Sequence, residues 1–185
     1  MIQPDIHKDL IISCQNGSRK AQYELYSLYS KAMFNVCLRM VSQRDAAEDV
    51  LQEAFLKAFT RIDSFKFEST FGAWLKRIVV NSAINYLRKK KVETDYLDDL
   101  QNPQEAAHED EIGLLDEEML NTAAIQKAMK LLPEGYKVVF SLYAIEGYDH
   151  REIAGILGIS DGTSKSQYNR ARKKLKELLT NELCR

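Results

Sequence analysis

Proline, glycine, cysteine and histidine are all scarce in this chain of 185 residues, and each scarcity excludes something. With 3 Pro and 8 Gly, the sequence is left to Leu, Ala, Glu, Lys and Ile-type residues, a composition that favours helix. Cys14, Cys37 and Cys184 are odd in number and far apart, with no CxxC pair. That spacing offers neither a disulfide framework nor a zinc site. Cys37 reads instead as a small buried hydrophobe. His7, His108 and His150 fall in three unlike segments and suggest no metal site and no catalytic triad. Nothing calls for a cofactor. No run approaches the roughly 18 consecutive apolar residues of a membrane span, so no membrane insertion is expected. The first ten residues carry Asp5, His7, Lys8 and Asp9 and lack an apolar signal core, which predicts a cytoplasmic protein.

What is present suffices for a core: 45% of residues are hydrophobic and 29% charged, unlike a disordered or collagen-like chain. The length suits one ordinary domain or two small ones. The formal net charge of −1 conceals a division into three blocks. Residues 1–91 carry +6, residues 92–122 carry −11 with no Lys or Arg, and residues 123–185 carry +4. A block of one sign repels itself, and Asn102-Pro103 adds a turn signal. The expected architecture is all-α, with two small helical domains, 1–91 and 122–185, joined by an acidic linker over 92–121. A solvated acidic helix over 105–120 is the alternative for part of that linker.

In the first block, Ala21, Leu25, Leu28, Tyr29, Ala32, Val36 and Met40 recur at the spacing of one buried helix face. A second helix after Arg44 turns Ala47, Val50, Leu51, Ala54, Phe55, Ala58 and Phe59 inward. Its other face gathers Glu48, Asp49, Gln52 and Glu53, either a solvated surface or a polar patch with a use. Around Phe65 and Phe67 the chain reads as a loop in which aromatic and polar residues alternate. Such rings either plug the core or stack on bases. A third helix, from about Phe71 to Lys91, buries Phe71, Trp74, Leu75, Ile78, Val79 and Leu87. Arg77, Asn81 and Asn85 recur every four residues on another of its faces, and donors so placed can reach base edges. The helix ends in Arg88-Lys89-Lys90-Lys91. Cations there suit the helix dipole, yet four in succession exceed capping and fit phosphate binding better.

The second block opens with a short amphipathic helix from Thr122 to Leu132. Pro133-Glu134 starts another, lined by Val138, Val139, Leu142 and Ile145 and ended by Gly147. Asp149 and Glu152 make a capping box for a helix from His150 to Leu157, closed by Gly158. Ser160 caps a long final helix with Tyr168, Ala171, Leu175, Leu178 and Leu179 on one face. Two helices around a short Gly-containing turn form a helix-turn-helix. Its second helix carries Lys165, Arg170, Arg172, Lys173, Lys174 and Lys176 and no acid between 164 and 176. Charge so unbalanced points to DNA.

Taken together these stretches resemble a known family, the extracytoplasmic-function sigma factors. The matching segments are Asp45-Ala-Ala-Glu-Asp-Val-Leu-Gln-Glu53, Phe71-Gly-Ala-Trp-Leu-Lys-Arg-Ile78 and Asn81 through Asn85-Tyr-Leu-Arg88. Leu132-Pro-Glu134, Glu146-Gly147, Glu152-Ile-Ala154, Leu157-Gly158, Asp161-Gly-Thr-Ser-Lys-Ser166 and Arg170-Ala-Arg172 follow in order, so that nearly the whole chain is covered. The resemblance implies a non-catalytic subunit that binds core RNA polymerase, through its clamp helices and flap, and directs it to promoter DNA. It implies that residues 1–91 dock on polymerase through Asp49, Gln52 and Glu53 and open the −10 element. There Phe65, Phe67, Ser69, Arg77, Asn81 and Arg88 are the DNA-facing candidates, and extruding a base costs a few kcal/mol that such a pocket must offset. It implies that residues 122–185 read the −35 element in the major groove with Lys165, Ser166, Asn169 and Arg170, while Arg172, Lys173 and Lys174 meet phosphates. The linker would run toward the RNA exit path. An anti-sigma factor is a further partner the family suggests.

One position departs from the family. Ser164 stands where a β-branched apolar residue usually packs the recognition helix on its neighbour, a loss of roughly 1 kcal/mol or more of apolar burial. How that helix is seated is therefore a structural question. The competing function is a stand-alone helix-turn-helix regulator, which needs neither docking patch nor stacking loop. An enzyme such as a nuclease would need carboxylates at the DNA face, and here the acids concentrate in the linker.

Overall fold

A computed structural model describes residues 6–94 and 122–183 of the chain. Eight α-helices and no strand occur among the described residues. The chain divides into two compact units, Met1–Glu93 and Thr94–Arg185. The acidic segment expected between them lies, over 95–121, outside the described residues, as does Cys184.

The first unit comprises α1 (Lys8–Gln15), α2 (Arg19–Val41), α3 (Arg44–Thr60), a single 3₁₀ turn (Ile62–Ser64) and α4 (Phe71–Thr94). Ser18 starts α2, its hydroxyl accepting from the Ala21 N–H at 3.2 Å. Ser42 ends it in the left-handed region at φ 63°, and with Gln43 makes the whole connection to α3. So short a link holds α2 and α3 side by side. Leu25, Cys37, Met40, Val50, Ala54, Phe71, Leu75 and Val79 fill the core between the helices. Burial pushes the Cys37 thiol up to about 12, which leaves it protonated and inert at neutral pH.

Two expected core positions on α2 are corrected. Leu28 is 51% exposed and Ala32 is exposed, while Met33, Cys37 and Val41 are buried instead. Each four-residue step along an α-helix overshoots a full turn by about 40°. Over 23 residues the buried stripe winds toward Met33 and leaves Leu28 and Ala32 on its trailing edge. The helix α1 was not legible in the sequence, although Ile11 and Cys14 seat it firmly in the core.

The second unit comprises α5 (Thr122–Lys130), α6 (Glu134–Phe140), α7 (His150–Leu157) and α8 (Asp161–Leu183). Ala128, Met129, Leu132 and Phe140 pack against Ala171, Leu175 and Leu179 of α8. The expected continuation of α6 to Ile145 is altered by a widened π turn over Ser141–Ile145, closed by the Glu146 N–H donating to the Ser141 carbonyl at 3.0 Å. The extra residue per turn rotates Ile145 off the core face, and it is 43% exposed. The capping box of α7 is present in both directions. The Glu152 N–H donates to Asp149 Oδ1 at 2.8 Å, and the Asp149 N–H to Glu152 Oε2 at 2.9 Å. Gly158 closes α7 at φ 72°, and Ser160 Oγ accepts from the Thr163 N–H at 2.9 Å to open α8. The helix-turn-helix is thus fixed by local chemistry at every corner. No helix among the described residues is long and apolar enough to cross a membrane.

Candidate nucleic-acid and polymerase interfaces

The loop between α3 and α4 is held from two sides. Gln15, at the end of α1, donates from Nε2 to the carbonyls of Ile62 (3.0 Å) and Phe65 (3.2 Å). On the other side Phe65 packs against Phe67, Trp74 and Phe71 at centroid distances of 4.9, 5.4 and 5.7 Å. Phe65 is only 3% exposed, so its ring is closed to an incoming base. The expectation that Phe65 stacks on DNA is corrected: it is the core plug, because these aromatic neighbours and its own tethered carbonyl enclose it. Phe67 is different. It is half-buried, it adopts φ 59°, and the Lys8 ammonium lies 5.8 Å from its ring. A left-handed backbone costs a non-glycine residue about 1–2 kcal/mol, which the ring packing helps to offset.

Ser69 is exposed beside Thr70, whose hydroxyl accepts from the Ala73 N–H at 3.3 Å and starts α4. Along α4, Arg77, Asn81 and Arg88 are exposed, as is Asn85 between them. The helix therefore brings a cation, two amides and a second cation to solvent along successive turns, a donor-rich strip suited to phosphates and base edges.

On α3, Asp49, Gln52 and Glu53 are the expected polymerase-facing residues, and all three are exposed, with Glu48 half-buried beside them. Gln52 also lines a groove of about 310 Å³ with Tyr26 and Phe34 of α2 and Glu48 and Leu51 of α3. Arg44 closes one end, paired to Glu48 at 3.0 Å and 5.6 Å from the Phe34 ring. Glu53 pairs with Lys57, which in turn donates to buried Ser82 Oγ on α4 at 3.3 Å. The patch is polar and firmly backed.

On α8 the expected reading residues occupy the first three turns. Lys165 is exposed and paired with Asp161 at 2.8 Å; that hydrogen bond holds the Asp161 carboxyl below its usual range. Ser166 is half-buried and its hydroxyl donates to the Thr163 carbonyl at 3.0 Å. Asn169 and Arg170 are half-buried, and Lys173 is exposed. The Arg172 guanidinium lies 5.8 Å from the Tyr168 ring. Ser164, the residue that departs from the family, is fully buried, with its Oγ 2.9 Å from His150 Nδ1.

Two contributors escaped the sequence reading. Gln15 touches backbone 47 and 50 residues away, and no local pattern announces such a pairing. His150 had a partial signal: it opens α7, the helix paired with α8 in the helix-turn-helix, and the unexpected polar residue Ser164 stands in the first turn of α8.

The family model for Sigma-70 region 2 matches residues 25–93, and that for Sigma-70, region 4 matches residues 122–175. The chain is 34% identical over 171 residues to the ECF RNA polymerase sigma-E factor of Haemophilus influenzae, covering 89% of this chain and 90% of that one. It is also 34% identical over 182 residues to the ECF RNA polymerase sigma factor SigW of Bacillus subtilis, covering 93% and 96%. Among solved structures, the sigma factor RpoE in complex with the anti-sigma factor NepR from Bartonella quintana aligns with a TM-score of 0.56 at 30% identity. That alignment covers 85% of this chain and 96% of that chain. CnrH in complex with the cytosolic domain of CnrY shares the fold, with a TM-score of 0.56 at 24% identity over 96% of this chain and 99% of that one.

Proposed function

The chain belongs to the extracytoplasmic-function sigma factors, which direct RNA polymerase to promoters, and from this premise we propose which of its residues do the work. Residues 1–91 form the domain that docks on core polymerase and opens the −10 element. Residues 122–185 form the domain that reads the −35 element, and 92–121 join the two. Asp49, Gln52 and Glu53 make the polymerase contact. Phe67, Ser69, Arg77, Asn81 and Arg88 receive the opened strand. Lys165, Ser166, Asn169 and Arg170 face the major groove, with Arg172 and Lys173 on phosphates. The chain supplies no catalysis of its own, and it acts in the cytoplasm, where polymerase and chromosome are. An anti-sigma factor is a fitting third partner, since the RpoE relative was solved with one.

The observation that carries this assignment is the two-sided character of α8. One face is sealed into the core by Ala171, Leu175 and Leu179, and the remainder carries six Lys or Arg between 164 and 176 with no acid among them. A helix so fastened and so charged is presented to DNA as a rigid element, as groove reading requires.

The test mixes the full chain with core RNA polymerase, follows co-elution in size-exclusion chromatography, and measures transcription from a promoter library. Co-elution and initiation at a defined pair of motifs are expected. Gln52→Ala with Glu53→Ala should weaken co-elution about tenfold or more, with helical content unchanged, as expected for removing interface hot spots. Because Glu53 also orients Lys57, helical content reduced along with binding would make these residues structural. Failure of the intact chain to co-elute, with tight duplex binding alone, would make it a stand-alone regulator.

A further inference from the structure

The crossing of α7 and α8 is built around a polar pair. His150 Nδ1 and Ser164 Oγ are 2.9 Å apart, and Ser164 has no exposed surface. The imidazole is stacked on Tyr143 of the π turn, with ring centroids 4.2 Å apart and planes 13° from parallel. Tyr168 of α8 meets the imidazole edge-on at 5.8 Å and Tyr143 at 4.5 Å. Three rings from three elements therefore fix one another, and the imidazole fixes the serine. A fully buried hydroxyl is costly unless it is hydrogen-bonded, and His150 supplies Ser164 with that partner across the crossing.

The position of the pair gives it leverage. Ala171, Leu175 and Leu179 anchor α8 along its middle and far turns. Near its start, Ser160 caps the helix from within its own turn and does not tie it to α7. A polar tie across to α7 is the bond at Ser164, one and two residues before Lys165 and Ser166 and five and six before Asn169 and Arg170. Bidentate pairing with base edges needs placement to within about 0.5 Å. We propose that His150 is a positioning residue for promoter reading: paired with Ser164, it sets the seat of α8 and hence the register of residues 165–170 in the groove. The proposal rests on α8 being the reading helix.

Protonation bears on the same bond. A neutral imidazole can accept the Ser164 hydroxyl at Nδ1; an imidazolium can only donate there and sets its charge between two phenol rings. The groups around it are Asp149 at the cap, Asp161 and Lys165 on α8, Arg151 beside it on α7, and the rings of Tyr143 and Tyr168. Burial dominates and lowers the imidazole pKa; Asp161 and Asp149 oppose it and Lys165 adds to it. A lowered folded value means the unfolded chain binds the proton first. The stability tied to neutral His150 is thus present above the ordinary imidazole value of about 6.5 and is lost as pH falls below it.

The experiment uses holoenzyme reconstituted with the full chain and measures closed-complex affinity at a cognate promoter and at single-base −35 variants. Wild-type holoenzyme that ignores the −35 sequence would defeat the reading-helix assignment, and the proposal with it. With −35 dependence established, His150→Phe and Ser164→Ala should each reduce discrimination between cognate and variant sites about fivefold to twentyfold. The double variant should be no worse than about the poorer single one, because the second change removes a group whose partner is already gone. His150→Asn, which keeps a hydrogen-bonding atom near the place of Nδ1, should retain most discrimination and lose the dependence on pH below about 6.5. Co-elution with core should be unchanged throughout. Additive losses, unchanged discrimination in the single variants, or His150→Asn failing as badly as His150→Phe would each overturn the proposal. Should His150→Phe lose helical content, the comparison of His150→Asn with Ser164→Ala decides it in the same way.

Discussion

Phe71→Ala is expected to destabilise the first unit by about 3–5 kcal/mol, the cost of truncating a fully buried aromatic ring. Phe71 has no exposed surface and meets Tyr29, Trp74 and Phe65 at 5.2, 5.5 and 5.7 Å. It therefore joins α2, α4 and the loop at one point. Small domains are stable by only about 5–15 kcal/mol, so the loss takes a large share of the total. Denaturant unfolding of the full chain, followed by helical signal, should show the transition of this unit moved to lower denaturant. Phe67→Ala, on a half-buried ring, should leave that transition nearly in place and weaken promoter opening instead. Equal stability losses for the two would mean that Phe67, like Phe65, is a core residue. Wild-type stability in Phe71→Ala would mean that the aromatic box does not hold the loop.

Arg170→Ala is expected to cost about 1–3 kcal/mol in binding a cognate −35 element and to relax the sequence preference at one position. The side chain sits half-buried on α8, one residue before the buried Ala171, so its backbone is firmly placed relative to the core. Lys173→Ala supplies the contrast. Removing a phosphate-binding cation there should weaken binding alike at all sequences and reduce the salt slope by about one. A promoter selection with each variant holoenzyme distinguishes the outcomes. An unchanged consensus for Arg170→Ala would remove that residue from the reading set.

The sequence is most legible where the chemistry is local. Asp149 with Glu152, Gly158 and Ser160 act within four residues of themselves, and each does in the structure what its type and position announce. Charge segregation is legible too, because it needs no geometry. Phe65 and Phe67 cannot be told apart by pattern: they alternate in one loop, and only tertiary enclosure by Trp74, Phe71 and the Gln15 amide makes one of them core. Leu28 and Ala32 mislead because a stripe read at fixed spacing drifts over a long helix. Ile145 misleads because a π turn has no signature in residue type. The donor-rich strip of α4 is visible as a four-residue repeat, whereas the tether from Gln15 joins segments that only the fold brings together.

The pairing of Lys165 with Asp161 has a consequence for how this chain moves among wrong sites. Lys165, proposed above to face the groove, has its charge matched by a carboxylate 2.8 Å away. On that reading a stray phosphate competes with the carboxylate for Lys165, so Lys165 should contribute less to indiscriminate attraction than a bare lysine would. The acid at the head of the proposed reading helix would thus act as a resident decoy for phosphate. It should lower the hold of random sequence on the helix, and leave Lys165 to be released where a better partner in the groove replaces it. Selectivity can rise in this way without a single added base contact, through weaker adhesion to everything else.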